Sequence, residues 1–475
     1  MFHLRSPYWR LPFLHIPTIS LLITIASMSV AQSDLQHIVK PWLPGPQRTY
    51  ILTSANLIDP VSGKVIENAT IKLSNGLVSS VDTTGGQVVD KVDCNAVQID
   101  MKGKYISPGL IDCHVHISAV PGSLNLRDMK EMSNDQSVLR QPSVCKSMLD
   151  RGFTTVRDCG GASLALKESI QEGVISGPRL FIAGHALSQT GGHGDRRQQH
   201  DPNECCAGHV NGIGRIVDGV DQCLKYAREE LRQGSDFIKI MGGGGVASPT
   251  DQVQHLQFSD EEIKAIVTVA NNAGTYVTSH AYTPQAIQQA IRQGVKGIEH
   301  GNLLDEKTAM MMKDYGVFLT PTLVTYATMA APEFSGFLPP ISAKKNREVL
   351  DKGLHALGLA SKIGVDICFG TDLLGPLHYA QSKEFAIRST VQSTLEILRS
   401  ATTTPARMLG QDSFLGQVAP GFAADLLILN ANPLDDITVF DRPDDHLLAI
   451  IKEGRVVTSR WNVLEVEASP PPKIE

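Results

Sequence analysis

Six side chains in this sequence have the types and positions that a metal centre needs. Two of them close an apolar run that starts at Ile106, in Asp112-Cys113-His114-Val115-His116. In an extended chain, residues two apart point to one side, so His114 and His116 offer two imidazoles to one point. Taken alone, such a pair is more often a surface or core pair than a metal site. Four further residues change that balance. Lys239 lies in the apolar run Phe237-Ile238-Lys239-Ile240, and His280 follows the run Tyr276 to Ser279. His300 follows Gly297 to Glu299, and Asp372 follows Phe369-Gly370-Thr371. A lone lysine in an apolar run reads as ion-paired or snorkelling. Lys239, buried by pattern among prospective ligands, reads instead as part of their site.

These residues share an address, at or just past the end of a short strand. From Ile106 to Leu409 the pattern alternates such strands with helix-length segments. The strands are Ile106 to Ile111, Thr154 to Arg157, Leu180 to Ala183, Phe237 to Met241, Tyr276 to Ser279, Gly297 to Glu299, Val317 to Thr320 and Ile367 to Phe369. Ser259 followed by Asp260-Glu261-Glu262 is a capping box that starts a helix over Ser259 to Ala273. Repeated β/α units of this number fit an α/β fold, a (β/α)8 TIM barrel whose strand ends meet at one face. A doubly wound open sheet is the alternative, and it gives no reason for the six residues to converge.

The flanks differ from the middle. Short β-runs (Ile51-Leu52, Asn68 to Leu73, Val88-Val89) alternate with glycines before Tyr105, and the texture returns in Asp425 to Leu429, Leu447 to Ile451 and Val456-Val457. The expected layout is a β-sandwich built from both chain ends, 37–105 and 413–462, around a barrel over 106–412. A disordered tail is expected over 463–475, where three prolines run together. At the other end, Arg5 and Arg10 precede the apolar run Ile16 to Val30 and the small-residue pattern Ser29-Val30-Ala31. That reads as a signal peptide over 1–31 and a secreted protein, with a membrane anchor or a cytoplasmic extension as alternatives. Pro17 and the shortness of the run argue against a stable membrane span.

Composition narrows the partners. With 42% hydrophobic and 19% charged residues and a net charge of −6, the 475-residue chain resembles an ordinary globular enzyme. It has no basic cluster, and only 5% of its residues are aromatic, so neither a phosphate footprint nor a base-stacking platform is expected. A small-molecule substrate is expected, and no nucleic acid. The eight cysteines include no CxxC pair, Cys205-Cys206 are adjacent, and spacing leaves any disulfide pattern open. Asn68-Ala69-Thr70 is a glycosylation sequon.

The order His-x-His, Lys, His, His, Asp resembles the binuclear metal branch of the amidohydrolase superfamily, from Thr49 to about Arg460. Ser107-Pro108-Gly109-Leu110-Ile111-Asp112 and Pro420-Gly421-Phe422-Ala423-Ala424-Asp425 belong to the likeness. More narrowly, the segments Ala186 to Asp195 and Ile238 to Val246 are similar to the prolidase-like group of Xaa-Pro and Xaa-Arg dipeptidases and fungal ochratoxinase. The N-terminal extension departs from that pattern.

The resemblance implies two divalent metal ions, zinc first, with Mn, Fe or Co not excluded. By it, His114, His116 and Asp372 hold the more buried ion and His280 and His300 the more exposed one. Lys239 is carboxylated by CO2 to a bridging carbamate (N6-carboxylysine), since an ammonium has no lone pair to give. The implied reaction is hydrolysis of a C–N amide bond in dipeptides, N-acyl amino acids or ochratoxin-like amides by attack of a metal-bridging hydroxide. Asp372 is then the general base that passes the proton to the leaving amine.

Three residues have secondary roles. His193 is assigned to the oxyanion or to substrate orientation, against a plain loop histidine. Tyr282 is assigned to the substrate carboxylate. Arg157 takes that role too, or else forms an ion pair with Asp158. The Gly242 to Gly245 run lets backbone approach the metals or hinges a lid. The alternatives to an amide hydrolase are a cyclic-amide hydrolase or deaminase on the same scaffold and a non-catalytic barrel binding protein. Homo-oligomers are common among the relatives.

Overall fold

The computed structural model describes residues 39–84, 96–130, 132–198, 200 and 213–467. The signal segment 1–31, Val88-Val89, Cys205-Cys206 and the tail from Ser469 lie outside the described residues. The chain begins with β1 (Tyr50–Asp59), β2 (Lys64–Ser74), β3 (Leu77–Asp82), β4 (Val97–Asp100) and β5 (Tyr105–Pro108). It continues through β6 (Leu110–Val115), β7 (Phe153–Asp158), β8 (Arg179–Ile182), β9 (Ala186–Ser188), β10 (Gly214–Ile216) and β11 (Ile238–Met241). Next come β12 (Val277–Ala281), β13 (Gly297–His300) and β14 (Phe318–Thr320), and it closes with β15 (Leu426–Leu429), β16 (Leu447–Lys452) and β17 (Arg455–Ser459).

Strands from both chain ends share one eight-stranded sheet, in the order β17-β16-β15-β5-β1-β2-β3 with β4 beside β1. The middle is α/β with parallel sheets: β6-β7-β8 form one, and β10-β9-β11-β12-β13-β14 the other. Backbone bonds run between them. Asp236 N–H, just before β11, donates to the C=O of Ile182 at the end of β8, at 2.8 Å. The expected strand Ile367 to Phe369 is a bridge rather than a ladder. Asp366 C=O accepts from Leu319 N–H at 2.9 Å on one side, and Phe369 C=O accepts from Cys113 N–H at 2.7 Å on the other.

The expected strand Ile106 to Ile111 is two strands. Tyr105–Pro108 pairs antiparallel with β15, and from Leu110 the chain pairs parallel with β7. Gly109 sits at the change, where a Cβ would lie 2.1 Å from Thr154 Oγ1. The apolar run is continuous in sequence because both halves are buried, so pattern alone does not reveal the switch of sheet. The three-residue strands β9 and β10 carry too little periodicity to be seen in the sequence.

The helix after the glycine loop forms as its cap predicts. It spans Asp260–Asn272, and the Ser259 side chain and Glu262 exchange both bonds of a capping box. Its Ile263, Ile266, Val267 and Ala270 are buried in one cluster with Ile238, Ile240 and Val277 of β11 and β12. Each buried isoleucine or valine contributes roughly 1.5–3 kcal/mol by leaving water, which holds the strands that carry Lys239 and His280. Cys113, Cys145, Cys159, Cys223 and Cys368 are buried free thiols. Among the described residues no helix is long and apolar enough to cross a membrane.

Candidate metal centre

Strand ends bring the histidines together. His114 and His116 leave β6 on the same side, with their Nε2 atoms 3.4 Å apart. Both face Asp372 Oδ1, at 3.4 and 3.2 Å. Donor atoms of His114, His300 and Asp372 all lie within 4.8 Å of one another. Ring centroids continue the cluster, at 4.9 Å from His114 to His300, 4.6 Å from His300 to His280 and 4.3 Å from His280 to the stacked ring of His193. Lys239, buried in β11, lies close enough to lower the proton affinity of all four predicted histidine ligands.

Two of these residues sit in backbone that side chains seldom adopt. His300 has φ +76° and Asp372 has φ +52°, in the left-handed region that costs a non-glycine residue of order 1 kcal/mol or more. Asp372 is pinned there by its N–H donating to His114 C=O at 2.8 Å. The strained backbone turns each side chain into the cluster at the point where its strand ends.

One ring nitrogen of every histidine is already engaged, which leaves the other for the centre. His114 Nδ1 meets Glu299 Oε2 at 2.8 Å and His116 Nδ1 meets Gly160 C=O at 2.9 Å. His300 Nδ1 meets Thr322 Oγ1 at 2.8 Å, and His280 Nε2 meets Gly244 C=O at 3.1 Å. Such partners fix ring orientation and tautomer in metal sites. Burial pushes His114 down to about 4, and it holds His280 and His300 well below the ordinary imidazole range with help from their neighbours. Neutral imidazoles offer lone pairs. Burial would raise Asp372, but His114, His116 and Lys239 outweigh it and hold the carboxylate at about 2. Burial would lower His116, but Asp372 beside it outweighs that and raises it. Neutral imidazoles at His114, His280 and His300 beside an ionised carboxylate fit a divalent cation.

Sequence reasoning missed Glu299. It receives Arg157 Nη2 at 2.6 Å on one oxygen and His114 on the other. Burial would raise its pKa, yet Arg157 and His114 bring it well below the usual carboxylate range. Arg157 is therefore not where the sequence placed it. Its side chain is wholly buried, Nε donates to Cys113 C=O at 2.6 Å, and its ion pair is with Glu299 rather than Asp158. It does not line the cavity. Asp158 instead accepts backbone N–H groups of Ile117, Gly160 and Ala162.

The cavity opens beside the cluster, with His116, His193, Tyr282, Tyr326 and Asp372 on its polar side. Tyr282 and Tyr326 share a hydrogen bond at 2.9 Å, and the Tyr282 ring lies 5.3 Å from His300. His193 Nδ1 meets Ser248 Oγ at 2.9 Å, and Ser248 in turn bonds Asp251. Lys345 ties this loop to the helix Pro340–Ile363, donating to Gly245 C=O at 2.9 Å and Ser248 C=O at 3.0 Å. The glycine run has a steric cause. A Cβ on Gly244 would meet Gln252 C=O at 1.7 Å, and one on Gly245 would meet His193 Nδ1 at 1.9 Å.

The model of the Amidohydrolase family matches residues 105–457. The chain belongs to the amidohydrolase family. Among similar proteins, ochratoxinase of Aspergillus niger is 30% identical over 82% of this chain and 83% of its own length. A prolidase crystallised with N-methylphosphonate-L-proline is 41% identical, covering 87% of this chain and 100% of that one at a TM-score of 0.82. A Xaa-Pro dipeptidase with methionine in its active site is 28% identical, over 86% and 99% of the two chains, at a TM-score of 0.75. Membership of the prolidase-like group follows as the motifs indicated, and with it a metal-dependent hydrolase of C–N amide bonds.

Proposed function

We propose that this amidohydrolase cleaves dipeptides or N-acyl amino acids, ochratoxin-like amides included, at a centre of two divalent ions. The observation that carries this reading is the cluster of buried imidazoles, each fixed through its outer nitrogen, around Lys239 and Asp372. His114, His116 and Asp372 would hold one ion, His280 and His300 the other, and Lys239 both, as a carbamate. When bound, the ions, zinc first among them, would activate water near neutral pH and polarise the scissile carbonyl. Asp372, at the cavity with a side chain 19% exposed while His114 is 0%, takes the proton of the attacking water and returns it to the leaving amine. His193, stacked on His280, orients the acyl side, and Tyr282 stands across the cavity to contact substrate.

The parallel strands are read as one closed (β/α)8 barrel over 106–412. The bridge at Ile367 and the bond from Asp236 to Ile182 support that closure. The two end segments complete the smaller β domain, and residues 1–31 direct export.

Metal analysis with a substrate screen tests the reading. Two ions per chain, activity lost to a chelator and restored by Zn2+, and turnover within a panel of Xaa-Pro, Xaa-Arg, N-acyl amino acids and ochratoxin A are expected. Asp372→Asn should keep the fold and lose turnover. A chain that binds no metal would be a binding protein, and turnover confined to cyclic amides or to amino-group loss would replace this substrate class.

A further inference from the structure

Glu384 and Arg388 are wholly buried, and the proposed chemistry has not used them. They stand one turn apart on the helix Lys383–Arg388 and pair at 2.7 Å. Arg388 also donates to the Ser400 hydroxyl at 3.2 Å and to the carbonyls of Pro321 and Cys368 at 2.9 and 3.2 Å. The second oxygen of Glu384 accepts the N–H of Val324 at 2.7 Å, and the N–H of Leu323 bonds the same carboxylate. Those two residues open the helix Leu323–Ala330. Their N–H groups have no partner within the helix. The residue just before a helix ordinarily meets such groups with its own side chain. Here that residue is Thr322, yet its side chain makes no cap bond. Thr283, at the same position before the helix Pro284–Arg292, does cap, accepting from Ala286 N–H. Thr322 Oγ1 meets His300 Nδ1 instead, at 2.8 Å. Its backbone, at φ −133° and ψ 57°, differs from that of Thr283 at −89° and 150°.

We propose that Glu384 is a positioning residue of the metal centre: it caps this helix from a distant part of the chain and so leaves Thr322 to fix the ring of His300. This rests on the metal-centre reading above, in which His300 is a ligand. A histidine whose outer nitrogen is held keeps the orientation and tautomer that its other nitrogen needs for the ion. If Thr322 capped the helix, that hold would be lost, and a bare helix end would cost stability. An acceptor brought from another helix meets both demands. Arg388 seats Glu384 there, since a carboxylate buried without a counterion is costly.

A single change at Glu384 would strand Arg388, so the test removes both charges. In an Arg388→Met background, Glu384→Gln keeps an oxygen for Val324 N–H and Glu384→Met does not. Zn2+ affinity of the full chain is measured by chelator competition, and both metal-free variants are crystallised. Glu384→Met should bind Zn2+ about 10–100-fold more weakly than Glu384→Gln. Adding Thr322→Val should cost a similar factor beside Glu384→Gln. Beside Glu384→Met it should cost less than about threefold, because the two changes act on one contact. In the crystals, Thr322 Oγ1 should stay on His300 with Glu384→Gln and turn to the N–H of Val324 or Thr325 with Glu384→Met. Equal Zn2+ affinities, independent losses on adding Thr322→Val, or a hydroxyl that stays on His300 in both crystals would overturn the proposal. A parent chain that binds no Zn2+ would remove the metal reading, and the crystals alone would then decide whether Glu384 keeps Thr322 on His300.

Discussion

Glu299 shows how one side chain couples the stability of the protein to its chemistry. It balances the buried charge of Arg157 and fixes the ring of the prospective ligand His114. Glu299→Gln keeps the shape and removes the charge. Leaving Arg157 buried without a counterion should cost about 3–5 kcal/mol, and loosening His114 should weaken metal binding about 10–100-fold. Thr322→Val removes the partner of His300 without creating a lone charge, so it should weaken the metal with little loss of stability. Thermal unfolding of the apo-protein and chelator competition separate the two effects. Equal melting temperatures for the three proteins would contradict the assigned role. The six residues proposed as ligands stood out in the sequence because each lies within, or a few residues past, a short apolar run of the middle, where chain direction and period decide what a side chain faces. Glu299 did not, because its partners Arg157 and His114 are 142 and 185 residues away. Arg157 was misplaced for the same reason: its charge invited a ligand, while its real counterion was invisible to local pattern.

At the scale of elements, the loop from Gly242 to Gln257 sets the position of His193. It is fastened by Asp251, which accepts from Gly245 N–H at 3.0 Å and Gln257 Nε2 at 2.9 Å, and by Lys345. Sequence showed the glycine run but offered approach to the metals or a hinge as its reasons. The run's close contacts are with Ser279, with Gln252 in its own loop and with His193, and none of them shows in a local pattern, so the sequence could not choose. Gly245→Ala puts a methyl 1.9 Å from His193 Nδ1, and the ring must move. Misplacing a substrate-orienting group by about an ångström can cost on the order of a hundredfold in rate. The expected result is a loss of that size in kcat/KM, with metal content retained. Gly191→Ala is the control. It meets nothing within 4 Å but has φ +69°, so it should lose roughly 1–2 kcal/mol of stability and keep its specific activity. If both variants behave alike, the loss in Gly245→Ala comes from backbone strain and His193 has no positional role.

At the scale of the whole molecule, the strands from the two chain ends and those that carry the proposed metal centre depend on each other. β5 leads through Gly109 directly into β6, and β5 is paired along its length with β15 from the other end of the chain. Gly109 N–H donates to Asp425 C=O at 2.8 Å, and Arg179, the first residue of β8, pairs with Asp425 at 2.6 Å. Leu427, Leu429, Leu447 and Ile450 share one buried cluster with Leu110, Val115 and Val156. Sequence placed strands at both ends but could not show that their side chains pack against the strand carrying His114. Burial of those four side chains contributes about 6–12 kcal/mol, comparable with the roughly 5–15 kcal/mol by which a whole domain is stable. A chain ending after Pro420 should therefore lose the metal centre, although every predicted ligand lies before that point. A chain ending after Glu467 keeps all these contacts and should bind metal as the full chain does. Circular dichroism and metal content of the two truncations decide it. A folded, metal-loaded chain ending at Pro420 would mean that the middle of the molecule is self-sufficient and that the end sheet is an appendage.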